Sequence, residues 1–219
     1  MLHFVTRRWG SVAMLLGLMM VGSLGCTTNM QYDYRAKALT LPSVAVTRTV
    51  AVAAQDQRPA VLKGEEKPDY VGSQRGGYGN PWKIKTEGEV PLAGVFADLI
   101  AQGLQKQGAK ATTVRIAPGI AQKDALEALK ATNSERLVLL TIEEWDSDTY
   151  QNTDLDYNLL LEVFDAQGKV LASSRVKAKD NIENGLWNPA GNAEEKAPAA
   201  LCERVERLFA DANVQAALK

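Results

Sequence analysis

Three stretches in a row, Arg136 to Tyr150, Asp154 to Asp165 and Lys169 to Ile182, alternate apolar with polar residues and are separated only by short turns. A period of two is the mark of a strand with one buried face, and strands joined this tightly must run antiparallel. Asp165-Ala166-Gln167-Gly168 supplies a glycine turn for the second hairpin. Matching the apolar faces of the first hairpin favours a three-residue loop, Gln151 to Thr153, which sets Trp145 opposite Leu159 and Thr149 opposite Leu155. A meander of this length needs a cover for its apolar face, so the rest of the chain must supply helices.

Helical spacing is found in three places. Leu92, Val95, Leu99, Gly103 and Leu104 lie on one face of Pro91 to Gln107, with Pro91 suited to the first helical position and Gly108 to the stop. Ala121 to Ala131 reads as a second helix. A third, Pro198 to Ala210, carries the stripe Leu201, Val205, Leu208 and Phe209, and Val214 to Leu218 adds a turn. Ser43 to Gln55 alternates, with Val44, Val46, Val50 and Val52 on one face of a half-buried first strand, and a short strand is expected at Thr113 to Ala117. The order is strand, helix, strand, helix, three strands, helix. It predicts an α+β domain, a mixed or antiparallel sheet of about five strands with two to three helices packed on one face. Asp56 to Val90, rich in glycine and charge, reads as a long loop.

The N-terminus carries an address. Arg7 and Arg8, with no acid before Cys26, precede an apolar run from Trp9 to Leu24 and the small Gly25. This is the order of a secretory signal peptide, and the run is shorter than the ~20 residues of a spanning helix. Gly25-Cys26-Thr27 resembles the cleavage point of bacterial lipoproteins, with Ser23 and Leu24 ahead of it. That resemblance implies cleavage before Cys26 and acylation of its thiol, which binds the chain to a membrane. Thr27, rather than aspartate, implies the outer membrane. The expected organisation is a signal at 1–25, a lipidated flexible leader at 26–42 and one periplasmic domain at 43–219.

Composition narrows the chemistry. Of 219 residues, 194 remain after the signal, with 26 acidic and 23 basic side chains once Arg7 and Arg8 are lost. A net charge of about −3 points away from nucleic acid. The one histidine, His3, leaves with the signal, so neither a Ser-His or Cys-His pair nor a histidine metal ligand is available. No cofactor is indicated. Cys202, in LCERVERLF, shares helical spacing with Val205 and Phe209 and reads as a buried structural thiol. Glu203 and Arg207 are spaced for a surface ion pair.

Two places are candidates for binding. The long stretch contains Arg58, Tyr70, Arg75, Tyr78, Trp82 and Lys85, aromatic and cationic groups among glycines that would suit a partner-binding loop. The first hairpin puts Asp146, Asp148, Asp154 and Asp156 on one face, a candidate weak cation site or simply a solvated face.

Asp56-Gln57-Arg58-Pro59, Gly64, Tyr70-Val71-Gly72, Arg75 to Pro81, Thr86 and Pro91-Leu92-Ala93, together with Cys26, resemble the uncharacterised outer-membrane lipoproteins of the YajG-like kind. The resemblance implies a periplasm-facing α+β lipoprotein and brings no reaction with it. The expected role is a non-enzymatic binding or assembly module whose partners are the membrane, through the acyl chains on Cys26, and another envelope protein. The alternative is a carrier or enzyme acting on a wall sugar or phospholipid, with Asp56 as acid or base. A pocket lined by Asp56, Arg75 and a second acid would favour that alternative.

Overall fold

A computed structural model describes residues 30–42, 47–182 and 189–219. The signal, Cys26, Val44, Val46 and Trp187 lie outside them. In chain order the described residues form Met30–Tyr32 (β1), Thr49–Asp56 (β2), Pro59–Leu62 (α1), Tyr70–Arg75 (β3), Pro81–Thr86 (β4), Leu92–Lys106 (α2), Lys110–Val114 (β5), Gln122–Lys130 (α3), Arg136–Thr149 (β6), Thr153–Asp165 (β7), Val170–Ile182 (β8), Pro189–Phe209 (α4) and Ala212–Leu218 (α5). The fold is a mixed α+β one, with eight strands in a single sheet and five helices among the described residues.

The strand β2 is buried on both faces, not one. Val50, Val52 and Ala54 enter one core while Ala51 and Ala53 enter another. The cause is its position, with β5 and β6 both pairing parallel to it. Parallel neighbours need crossover helices, and crossovers are almost always right-handed. The chain steps outward from β2 to β5 through α2, then back past β2 to β6 through α3. Steps in opposite directions with one hand put the helices on opposite faces. Accordingly α2 packs with Val50 and Val52, whereas Ala125 and Leu129 of α3 pack with Ala51, Ala53, Leu137 and Leu139. The expectation of helices on a single face is corrected by this crossover geometry.

The strand count also exceeds five, because the expected loop at Asp56 to Val90 is mostly structure. The strands β3 and β4 form an antiparallel hairpin, and β1 adds to β4 in parallel. Period two is broken there by glycine in YVGSQR and by the exposed Pro81-Trp82-Lys83, so no alternation marked it. The long strand β6 serves two partners on the same side. Its first half pairs with β2 up to Asp56↔Ile142; past a bulge at Glu143, its second half pairs with β3 from Gly72↔Ser147 to Gln74↔Thr149.

Residues 30–42 belong to the domain and are not a flexible leader. Tyr32, Tyr34, Leu39 and Leu41 are buried, Tyr34 meets Trp145 edge-on with centroids 6.2 Å apart, and the Thr40 amide donates to Glu206 at 2.7 Å. Burial pushes the Tyr32 hydroxyl up to about 12.

The meander forms, with a slip of register. Thr149 faces Thr153, Trp145 faces Tyr157 and Leu159 faces Ile142, so the loop is Tyr150 to Asn152. A 2.8 Å hydroxyl contact between Thr149 and Thr153, both buried, fixes the earlier turn. A slip of two leaves each side chain on its own face. The C-terminal helix starts earlier than Pro198, which lies inside α4. Ala193 and Ala197 continue the buried stripe N-terminal to it, which offsets the missing amide. Leu201, Val205, Leu208 and Phe209 are core residues. Glu203 pairs with Arg204 rather than Arg207, and Arg204 also reaches Asp180 at 2.6 Å.

One glycine sets the β3–β6 junction. Gly72 has φ +153°, and a Cβ there would lie 2.0 Å from Ser147 Oγ and 2.2 Å from the Ser147 carbonyl oxygen. Gly72→Ala should lower stability by about 1–3 kcal/mol in urea unfolding. Adding Ser147→Ala should not restore it, because the backbone oxygen stays in the way.

Candidate functional site

The site region begins where β2 ends. Asp56 and Arg58, two residues apart, are 1 % and 4 % exposed. All five N–H groups of the guanidinium are used: Nε and Nη2 donate to the two Asp56 oxygens at 2.9 and 2.7 Å, Nη2 also to the Pro68 carbonyl at 3.1 Å, and Nη1 to the Tyr70 and Trp145 carbonyls at 2.6 and 3.4 Å. A guanidinium so enclosed holds the starts of α1 and β3 against β6. Pro59 follows at the first position of α1, where its missing amide costs nothing. Arg58 is therefore a clamp inside the domain, and Asp56 is sealed by it.

The remaining members of the expected loop are spread along the β3–β4 hairpin. The Tyr70 hydroxyl donates to Asp146 at 2.9 Å, and Arg75 grips Asp148 with two hydrogen bonds of 2.9 and 2.5 Å. Lys85 pairs with Glu89 at 2.8 Å and Asp69 at 3.7 Å. Burial pushes the Tyr70 hydroxyl well above its ordinary range, helped by the Asp146 charge. Tyr78 is fully exposed in the turn and Trp82 is 45 % exposed in β4. The Trp82 ring lies across Gly76, where an added Cβ would come within 2.3 Å of it. The sequence reading missed Tyr150. It is 49 % exposed, and it directly follows Thr149, which pairs with Gln74 of β3. These three are the exposed large aromatic side chains among the described residues, and they share one end of the sheet.

The four hairpin acids lie side by side, Asp146 facing Asp156 and Asp148 facing Asp154. Each has its own partner: Tyr70, Arg75, Lys179 at 3.0 Å for Asp156, and Asn181 at 2.7 Å for Asp154. Among the described residues no group of three or more acidic, cysteine or histidine side chains is placed to hold a metal ion. The environments split the pair on β6. Burial raises the Asp146 carboxyl above its ordinary value, and the Arg75 hydrogen bond holds that of Asp148 below it.

A cleft of about 400 Å³ opens beside α1, with Arg58, Glu65, Tyr70, Glu143, Glu144 and Asp146 among the residues on its walls. Neither Asp56 nor Arg75 lines it. Glu143, at the bulge, is taken up by Arg175 and Asn158. Cys202 is buried, and desolvation pushes its thiol up to about 11, which makes it inert at neutral pH.

No family model matches the chain, and no curated protein does either. Among solved structures, it is similar to protein XCC0632 from Xanthomonas campestris, a DUF330 protein, with 12% identity and a TM-score of 0.50 over 82% of this chain and 95% of that one. Bacterial lipoproteins are also among the similar structures. Lipoprotein GNA1162 from Neisseria meningitidis has 13% identity and a TM-score of 0.28 over 73% of this chain and 97% of that one. The C-terminal domain of LpoB from Salmonella enterica has 10% identity and a TM-score of 0.32 over 68% and 100%. The likeness to XCC0632 is one of fold. No helix among the described residues is long and apolar enough to cross a membrane.

Arg58→Met removes the clamp and leaves Asp56 buried without its partner, so a loss of about 3–5 kcal/mol is expected in urea unfolding. The Asp148 carboxylate contributes stability above the ordinary carboxylate value that is lost as pH falls through its lower folded value. Arg75→Ala should therefore move the Asp148 titration upward in carbon-detected NMR and shrink the stability lost on acidification.

Proposed function

We propose that this chain is a lipid-anchored protein of the bacterial cell envelope, of the YajG-like kind, and that it works by binding rather than by catalysis. In this reading residues 1–25 are removed, Cys26 carries the acyl chains, and residues 30–219 stand on the periplasmic side of the outer membrane. The contact surface is the outer end of the β3–β4 hairpin, with Tyr78, Trp82 and Arg75. The other expected contact residues, Arg58, Tyr70 and Lys85, are placed outside that end in this reading: Arg58 is buried, the Tyr70 hydroxyl is bonded to Asp146 and Lys85 is paired with Glu89.

One contrast carries the reading. Asp56 and the hairpin acids are each tied to a partner, whereas the exposed aromatics gather at one end. Catalytic carboxylates need a free face toward a substrate. Aromatic side chains left in water gain most from being covered, and they dominate binding surfaces. The second reading, a carrier for a small envelope ligand, is favoured by the 400 Å³ cleft alone.

Two measurements test the proposal. Mass spectrometry of the mature protein should find an acylated N-terminal cysteine, and Cys26→Ala should abolish it. A photoreactive residue at Tyr78 in intact envelopes should form adducts that the same probe at Leu171, exposed at the opposite end of β8, does not form. Equal labelling at both positions would leave the hairpin without a special role.

A further inference from the structure

The position of β1 fixes where the hairpin lies relative to the anchor. The strand β1 runs parallel to β4 with Met30 opposite Ile84, so the chain enters the domain from the Pro81 end of β4. That is the end bearing Tyr78, Trp82 and Tyr150. Between Cys26 and Met30 stand only three residues, and four Cα steps span at most about 14 Å. From Ile84 back to Pro81 the hairpin advances about 10 Å in the same direction, and the turn from Gly76 to Asn80 extends beyond it. The hairpin end and the fully stretched Cys26 thus reach comparable distances past Met30. A domain tied this closely has no room to hold the hairpin end far from the surface in which Cys26 is anchored.

The chemistry of that end suits the same surface. Tyr78, Trp82 and Tyr150 are 100%, 45% and 49% exposed, and no other large aromatic side chain is exposed among the described residues. Tyrosine and tryptophan combine an apolar ring with a polar group and are enriched at the headgroup level of membranes. Formal charge at this end is largely cancelled, Arg75 by Asp148 and Lys83 by Glu66. Attraction to anionic lipid is therefore not the driving force.

We propose that Tyr78, Trp82 and Tyr150 sit in the lipid headgroup layer of the membrane that holds Cys26, as a second point of attachment that orients the domain. This deepens the proposed binding role by naming the lipid surface as what the hairpin end touches, and it rests on the reading of Cys26 as the anchor. The acyl chains hold the protein at the membrane, and the aromatic end decides which way it faces.

The test uses the full-length lipidated protein in vesicles of phosphatidylethanolamine and phosphatidylglycerol. Flotation comes first: failure to float removes the anchor, and the proposal with it. For protein that floats, the Trp82 emission is isolated as the difference between the native chain and Trp82→Phe. It should be lost when headgroup-nitroxide lipid is included and be shielded from aqueous acrylamide, with little dependence on salt or on the phosphatidylglycerol fraction. A nitroxide at Tyr78→Cys supplies a variant that leaves the core untouched. Cys202 does not compete for the label, being buried with its thiol raised to about 11. This label should be more accessible to oxygen than to a water-soluble nickel chelate. A floating protein whose Trp82 and position-78 label both respond as if in water would overturn the orientation while leaving the anchor intact. So would a photoreactive residue at Tyr78 whose adducts are a discrete protein and no lipid.

Discussion

A charged group enclosed between strands decides what can be built around it. Arg58 is 4 % exposed and spends every donor it has on Asp56 and on the carbonyls of Pro68, Tyr70 and Trp145. A buried charge tolerates no vacancy, since a missing acceptor costs more than the made bond contributes. Those acceptors belong to the end of β2, the approach to β3 and the middle of β6. The clamp therefore makes the place where β6 exchanges one partner for another a fixed joint. Without it the hairpin would be held by the short β3–β6 ladder, the exposed Tyr70–Asp146 and Arg75–Asp148 contacts and the three-residue strand β1.

That joint gives the molecule its two-part character. On one side, β5 and the first half of β6 run parallel to β2, and β2 and that half of β6 send apolar side chains into a core on each face. On the other, β3, β4 and the hairpin of β6 and β7 project with polar residues on one face, their carboxylates paired one by one. The first part supplies stability and the second presents a surface. The bulge at Glu143 marks the boundary, and Arg175 and Asn158 secure it.

The paired acids bear on how the surface works. Alternating carboxylates at a hairpin tip repel one another across the strands. Here the repulsion is met from both sides, by Tyr70 and Arg75 on β3 and by Lys179 and Asn181 on β8. The result is a polar face whose acids are each paired, with Tyr78, Trp82 and Tyr150 exposed at its end.

The sequence by itself determined the meander, α2, α3, the core stripe of the last helix and the inert Cys202, because each is written in local spacing and hydrophobic contrast. It also marked Tyr78 and Trp82 as contact candidates, since glycines and aromatics side by side are visible without coordinates. It placed Arg58 among them too, but only tertiary structure shows that guanidinium buried and fully bonded. Asp56 is a near neighbour, but the carbonyls that enclose the guanidinium come from 10, 12 and 87 residues further along. The face on which α3 packs, the double pairing of β6 and the recruitment of residues 30–42 were likewise settled only in three dimensions. Periodicity reports how one segment meets its surroundings. The hand of a crossover and the choice of strand partner depend on segments far apart in the chain, and no local pattern encodes them.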